Sequence, residues 1–225
     1  MRKFAPAIAI TAALLAAFAL AGCGDASSTT SSESGDSPTT AAKSENGFYS
    51  DFGSFKAVEK TGTTDGVITL PDAKAGIVTS TFTGEGNFAI QALDASNQPT
   101  TDLIANTIGN YNGTAAYGLA GLGEAPKTLK VTGTGQWTIK ISPVSSATTL
   151  PKTGSGDGVF KYAGPAATWK IANAGGEGNF AVTQYDESGM PNLAVNEIGA
   201  YTGSVPANAG PSIVTIISDG NWSLG

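Results

Sequence analysis

The chain states most of its folded part twice. Lys60–Val67 (KTGTTDGV) returns as Lys152–Val159 (KTGSGDGV), and Gly84–Ile90 (GEGNFAI) returns as Gly176–Val182 (GEGNFAV), both 92 positions later. Asn106–Gly113 returns as Asn196–Gly203 at an offset of 90, and Gly135–Trp137 returns as Gly220–Trp222 at 85. The order is kept while the offset drifts, which marks a tandem duplication with small loop differences. Whatever one unit is, it must close its own core within about 80–90 residues, and the chain must do so twice.

Each unit reads as short apolar runs separated by turn residues. In the first copy the runs are 66–70, 76–82, 87–94, 103–108, 128–132 and 137–142, with weaker ones at 56–59 and 114–119. Phe88, Ile90 and Ala92 fall on one face of a strand, as do Trp137, Ile139 and Ile141. Thr132–Trp137 and Ile217–Trp222 carry Gly or Asp-Gly and read as tight hairpins. No amphipathic helical stretch is visible. Seven or eight short strands per unit predict an all-β chain of two tandem small β-sandwiches, jelly-roll-like rather than immunoglobulin-like, because the immunoglobulin disulfide is absent. The first is expected over 47–145 and the second over 146–225.

The N-terminus begins with Arg2 and Lys3, runs through an apolar stretch from Phe4 to Leu20, and reaches Gly22-Cys23. That is the layout of a secretory signal, and it is shorter than the roughly 20 apolar residues a membrane span needs. Leu20-Ala21-Gly22-Cys23 resembles the lipobox of bacterial lipoproteins. The resemblance implies removal of residues 1–22 and a lipid on Cys23, the membrane then being a partner through that lipid. Cys23 is the sole cysteine, so no intramolecular disulfide competes for it. Residues 23–46 are rich in Ser and Thr and almost free of bulky apolar side chains, and they read as a disordered tether. The expected location is extracytoplasmic, anchored to the cell membrane.

Leu150–Gly154 (LPKTG) resembles the signal of sortases, the enzymes that couple surface proteins to the cell wall. That family's signal precedes an apolar span and a basic tail. Here about 70 residues follow, ending NWSLG, with neither feature. The KTG of the pentapeptide is instead the KTG of the repeat, matching Lys60-Thr61-Gly62.

Charge excludes several function classes. Without residues 1–22 the chain has 10 basic against 18 acidic residues and no Arg. Nucleic-acid binding, which needs clustered Lys and Arg, is not expected. The absence of His excludes His-based acid–base catalysis, Ser-His-Asp and Cys-His sites, and His-ligated zinc. No cofactor is expected. The repeated pattern also resembles tandem β-sandwich domains of uncharacterised secreted and lipid-anchored bacterial proteins. It is distantly similar to the small sandwiches appended to secreted peptidases. That resemblance implies a fold and an extracytoplasmic location, and brings no active site.

Candidate ligand residues come from the repeated positions. Glu85 and Asn87, with Glu177 and Asn179, could supply oxygen ligands. Gly-Glu-Gly-Asn before an apolar strand is equally ordinary hairpin chemistry. One carboxylate per turn, there or at Asp65 and Asp157, falls short of the roughly 6–8 oxygens calcium takes. Tyr111 and Tyr201 could line a sugar site, or pack over the sandwich edge with the hydroxyl on a loop. Trp137 and Trp222 read as core anchors. Trp169, matched to Ile77 at offset 92, leaves the second copy richer in aromatics along these strands, with Phe160 and Tyr162. Phe48, Tyr49, Phe52 and Phe55 read as a segment docking on the first sandwich. The expected role is a non-catalytic binding or surface-presentation module, with a cell-wall glycan or an envelope protein as partner. A structural spacer and a carboxylate-dependent hydrolase are the alternatives.

Overall fold

The computed structural model describes residues 44–225; the signal segment, Cys23 and the tether as far as residue 43 lie outside the described residues. The first copy contains β1 (Val58–Gly62), β2 (Gly66–Thr69), β3 (Gly76–Thr83), β4 (Asn87–Leu93), β5 (Pro99–Ile108), β6 (Tyr111–Tyr117), β7 (Thr128–Thr132) and β8 (Gln136–Pro143). These form two antiparallel sheets in the orders β1-β8-β3-β6 and β2-β7-β4-β5. Successive strands alternate between the sheets everywhere except at β4 and β5, which is jelly-roll topology.

The second copy repeats it. A two-residue strand, β9 (Thr148–Thr149), precedes β10 (Thr153–Ser155), β11 (Gly158–Tyr162), β12 (Ala167–Ala174), β13 (Asn179–Tyr185), β14 (Pro191–Ile198), β15 (Tyr201–Ala207), β16 (Ser212–Ile217) and β17 (Asn221–Leu224). The sheets run β10-β17-β12-β15 and β14-β13-β16-β11-β9, with β9 added parallel to β11. No strand of one copy enters a sheet of the other among the described residues. Among those residues no helix is long and apolar enough to cross a membrane.

Alternation along the strands builds the cores. Phe88, Ile90 and Ala92 are fully buried, as are Ile139 and Ile141 beside Trp137. Each copy has its own apolar cluster. The expected hairpins are corrected: Thr132–Trp137 joins β7 to β8, and Ile217–Trp222 joins β16 to β17, and in each case the two strands lie in different sheets. Both strands must point apolar side chains inward from opposite sides, so the chain crosses the end of the sandwich instead of reversing within one sheet. The repeat Asp holds each crossing: Asp65 accepts the Gly133 N–H, and Asp157 accepts the Ser218 N–H, both at 2.9 Å. The Gly-Glu-Gly-Asn turns are crossings of the same kind, from β3 to β4 and from β12 to β13.

The Lys-Thr-Gly and Trp signatures form one latch in each copy. Gly62 pairs with Trp137 across β1 and β8, and Gly154 pairs with Trp222 across β10 and β17. A Cβ on either glycine would lie 2.2 Å from the indole ring. The indole N–H then donates to the following loop, Trp137 to Thr64 O at 2.9 Å and Trp222 to Gly156 O at 3.0 Å. The Ile-Gly of the Asn-x-Ile-Gly motif turns the corner from β5 to β6 and from β14 to β15. Gly109 (φ +86°) and Gly199 (φ +79°) sit in the left-handed region that glycine adopts without cost from a side chain.

Two further expectations change. Residues 44–46 belong to no tether: Ser44 caps a short helix, α1 (Glu45–Ser50), its hydroxyl accepting the Gly47 N–H at 3.3 Å. The aromatic cluster at the tether's end also docks between the two sandwiches, not on the first alone. Phe48 and Tyr49 enter a third apolar cluster with Ile77 and Leu119 of the first copy and Val159 and Ile213 of the second. The Tyr49 hydroxyl donates to Tyr162 O (3.2 Å) and Ser212 O (3.4 Å), both in the second copy. Phe55 packs separately, against the first core.

A candidate binding cleft between the two sandwiches

The first sandwich meets the second with its open side, where β5 and β6 are the last strands of their sheets. The second offers the outer face of the β11 sheet, with β11 against β6 and with β13 and β16 bordering the cleft. The seam is held at Asp157. One of its carboxylate oxygens accepts the Tyr111 hydroxyl at 2.7 Å, and its main-chain oxygen accepts the Thr114 N–H at 3.2 Å. The other carboxylate oxygen is the one that holds the β16–β17 crossing.

Beside this seam lies a cleft of about 450 Å³. Its polar lining includes Asp102, Asn106, Tyr111 and Thr114 from the first copy, with Asp157, Asn179, Tyr185 and Thr215 from the second. Asp102 accepts the Gly118 N–H at 2.9 Å. Burial raises its pKa above the usual carboxylate value, and that hydrogen bond only partly offsets the rise. Burial also raises the Tyr111 hydroxyl, and the Asp157 charge beside it adds to the effect. Tyr185 is raised by burial too; a bond to Thr215 opposes this and the Asp102 charge reinforces it. The phenols therefore stay protonated across the physiological range, as donors. Each Asp157 carboxylate oxygen accepts one hydrogen bond, from the Tyr111 hydroxyl and from the Ser218 N–H. The cleft offers phenol donors, amide groups and carboxylates from both copies.

The six residues singled out in the sequence scatter over the molecule. Tyr111 and Asn179 reach the cleft; Glu85, Asn87, Glu177 and Tyr201 are not among the residues lining it. Glu85 and Glu177 stand exposed on the crossing turns. The second of these turns is organised by Asp219, which accepts the Glu177 and Gly178 N–H groups at 3.0 and 2.9 Å. Among the described residues no three acidic or sulfur side chains cluster as metal ligands do. Tyr111 and Tyr201 occupy the same place, each ring against the repeat Phe: Phe88 at 6.0 Å and Phe180 at 5.8 Å. Only Tyr111 has a neighbouring sandwich to meet.

Asp102 and Tyr185 escaped the sequence reading because neither belongs to a repeated motif. Trp169 was paired with the wrong counterpart. Asn173 stands opposite Trp222 and Tyr201 as Phe82 stands opposite Trp137 and Tyr111. The offset along β12 is thus 91, and Trp169 matches Val78, a core position. It is buried against Tyr162, whose ring lies 5.1 Å away, edge on.

No protein-family model matches the chain, and no curated protein sequence matches it significantly. Among solved structures it is similar to a regulatory subunit of a cAMP-independent protein kinase A from Trypanosoma cruzi bound to guanosine. The two are 13% identical over 72% of each chain, with a TM-score of 0.22, too loose a fit to carry an argument about fold or function.

Proposed function

We propose that this is a lipid-anchored protein of the cell envelope whose two sandwiches together form a non-catalytic binding module, with the ligand held in the cleft between them. The observation that carries the reading is that cleft: protonated phenols, amides and two carboxylates from both copies line one hollow. The ordered lipobox supports the anchor on Cys23. The position of LPKTG supports an N-terminal anchor over sorting to the wall, because Gly154 lies beneath the Trp222 indole in the latch of the second sandwich. An envelope protein suits the cleft better than a cell-wall glycan. The two aromatic rings of the cleft, Tyr111 and Tyr185, are half-buried, which leaves less open ring face than a sugar-stacking platform presents.

One experiment in two arms tests this. Cells expressing the wild-type chain or Cys23→Ala are labelled with fatty acid, and the purified chain is then followed by hydrogen exchange with and without a solubilised envelope fraction. Label that depends on Cys23, together with added protection at β5 and β16, is expected. Label retained by Cys23→Ala would refute the anchor, and unchanged exchange at the cleft would refute the binding site.

A further inference from the structure

Six consecutive residues of β5, Thr101 to Asn106, line the cleft. The ladder with β4 is bulged along this run, yet core-facing Ile104 and Ala105 border the hollow together with outward-facing Leu103 and Asn106, so the strand's edge rather than one of its faces lies along it. β5 has β4 as its one neighbour, and its other edge presents backbone N–H and C=O groups with no strand beside them. The next edge along, that of β6, is already engaged through Thr114 and Asp157. The contact between the copies thus runs directly into an open strand edge.

The walls beside that edge are apolar at the rim and acidic within. Leu103 (54% exposed) and Ile217 (48% exposed) flank the opening. Asp102 and Asp157 stand inside, and the lining holds no Lys or Arg. Asp157 has both oxygens engaged, whereas Asp102 gives one oxygen to Gly118 and the other has no partner among the described residues. Asp102 also lines the adjoining hollow under the Gly118–Pro126 loop, where Lys74 stands, but Lys74 is not in the lining of this cleft and forms no ion pair with Asp102 among the described residues.

We propose that the cleft takes an extended peptide segment that adds to the β5 edge as a fifth strand, with one basic side chain directed to Asp102. The proposal rests on the reading of the cleft as a binding site. Strand addition supplies the main-chain hydrogen bonds, and the side-chain environments select the sequence. Six extended residues span about 20 Å; the bulges shorten the run from Thr101 to Asn106 below that, and Gln91 Nε2 already holds Asp102 O at 3.1 Å, so the added strand pairs with the part beyond Asp102. An apolar side chain fits between Leu103 and Ile217. A Lys or Arg places its charge where two carboxylates stand without a cation, and an acidic segment would be repelled.

The test is calorimetric titration of the full chain in detergent with acetyl-TVKVTV-amide, its Glu analogue TVEVTV, an alternately N-methylated TVKVTV, and spermidine as a cation without strand character. The Lys peptide is expected to bind and to protect β5 amides from exchange. The Glu analogue, the N-methylated peptide and spermidine should each bind at least about tenfold more weakly, as should the Lys peptide with Asp102→Asn, since a hydrogen bond to a charged group is worth roughly a factor of ten or more. Leu103→Lys, a change at an exposed side chain, should weaken binding similarly without disturbing the fold. Equal binding by the N-methylated peptide or by spermidine would overturn strand addition. So would failure of the Lys peptide to bind while the envelope fraction still protects the cleft, a result that leaves the binding reading intact. If neither protects it, both readings fall.

Discussion

The two sandwiches share strand order, crossings and the Gly-under-Trp latch, yet differ in what they enclose and in which face they cover. In the first, Phe82 stacks on Phe88 with ring centroids 4.5 Å apart. In the second, Asn173 takes the place of Phe82. It is buried, donates to Gly199 O and accepts from the Ser218 hydroxyl, both at 2.8 Å. Gln184 likewise stands where the first copy has Ala92, bonded to Asn208 and Ser212. The first apolar cluster accordingly contains 15 buried residues and the second 10. Outside, the contrast reverses. Val159 is 4% exposed and its counterpart Val67 is 69% exposed. Ile213 and Thr215 of the second copy answer to Thr128 and Lys130 of the first. A duplicated fold keeps what closes the sandwich and diverges where one copy becomes the other's neighbour.

The sharpest way to break this comparison is to remove the same anchor from each copy. Trp222→Ala deletes the ring that covers Gly154 and meets Phe160 at 5.5 Å. Such truncations cost about 3–5 kcal/mol, and the second copy has the smaller apolar cluster with which to absorb the loss. In thermal melts followed by circular dichroism, Trp222→Ala should unfold the second copy and leave a distinct transition for the first. Trp137→Ala should lower the first transition by less than it takes to abolish it. A single transition in both variants would mean that the cluster around Phe48, Tyr49 and Val159 binds the copies into one cooperative unit.

A smaller effect probes the latch itself. Gly154→Ala and Gly62→Ala each press a methyl group into an indole that cannot move without losing its hydrogen bond. Overpacking of this kind costs about 1–3 kcal/mol. Each substitution should lower the melting temperature of its own copy, and the two should be additive because the sites share no partner. Loss of stability in Gly154→Ala without altered cell-surface attachment is expected if LPKTG is structural. An undisturbed melt would show that the ring is not confined there.

The smallest effect is electrostatic and differs in sign between the copies. Asp219 is held below the usual carboxylate value by the Gly178 and Glu177 N–H groups. Burial pushes Asp186 up, but the Ser188 hydroxyl and N–H and the Asn208 amide outweigh it, leaving its pKa lowered. A depressed folded-state pKa contributes stability that is present above the unfolded value and lost as pH falls through the folded one. Asp102, raised by burial, acts oppositely: it takes up its proton more readily when folded, so acidification favours the fold. Between about pH 5 and pH 3 the second copy should therefore lose stability relative to the first. Asp219 is exposed and Asp186 only half-buried, which keeps the change small. A fall in the first transition ahead of the second would contradict it.

Most of the fold was legible because its signals are local. Alternation located the buried faces of β4 and β8, and the repeat supplied each strand a second time. The crossings were misread as hairpins because a Gly-rich turn has the same composition whether the chain returns to its own sheet or passes to the other. The match of Trp169 with Ile77 failed by one residue, and with a period of two a one-residue slip exchanges inside for outside. The helix at Glu45–Ser50 is too short to show a periodic pattern, and packing of Phe48 and Tyr49 between the sandwiches sustains it more than propensity does.

By itself, the sequence determined that the chain is all-β, that it is duplicated, and that Gly62 and Gly154 travel with Trp137 and Trp222, because strand period and repetition are properties of neighbours along the chain. Only the tertiary structure decided that Asp102, Tyr111, Asp157 and Tyr185 stand in one cleft. Two of these come from each copy, separated by 46 or more positions across the seam, and no spacing rule links residues that meet because one sandwich packs its open side against the other's face. The same packing decided that Tyr111 would find a carboxylate while Tyr201, identical in motif and in its contact with Phe180, would not.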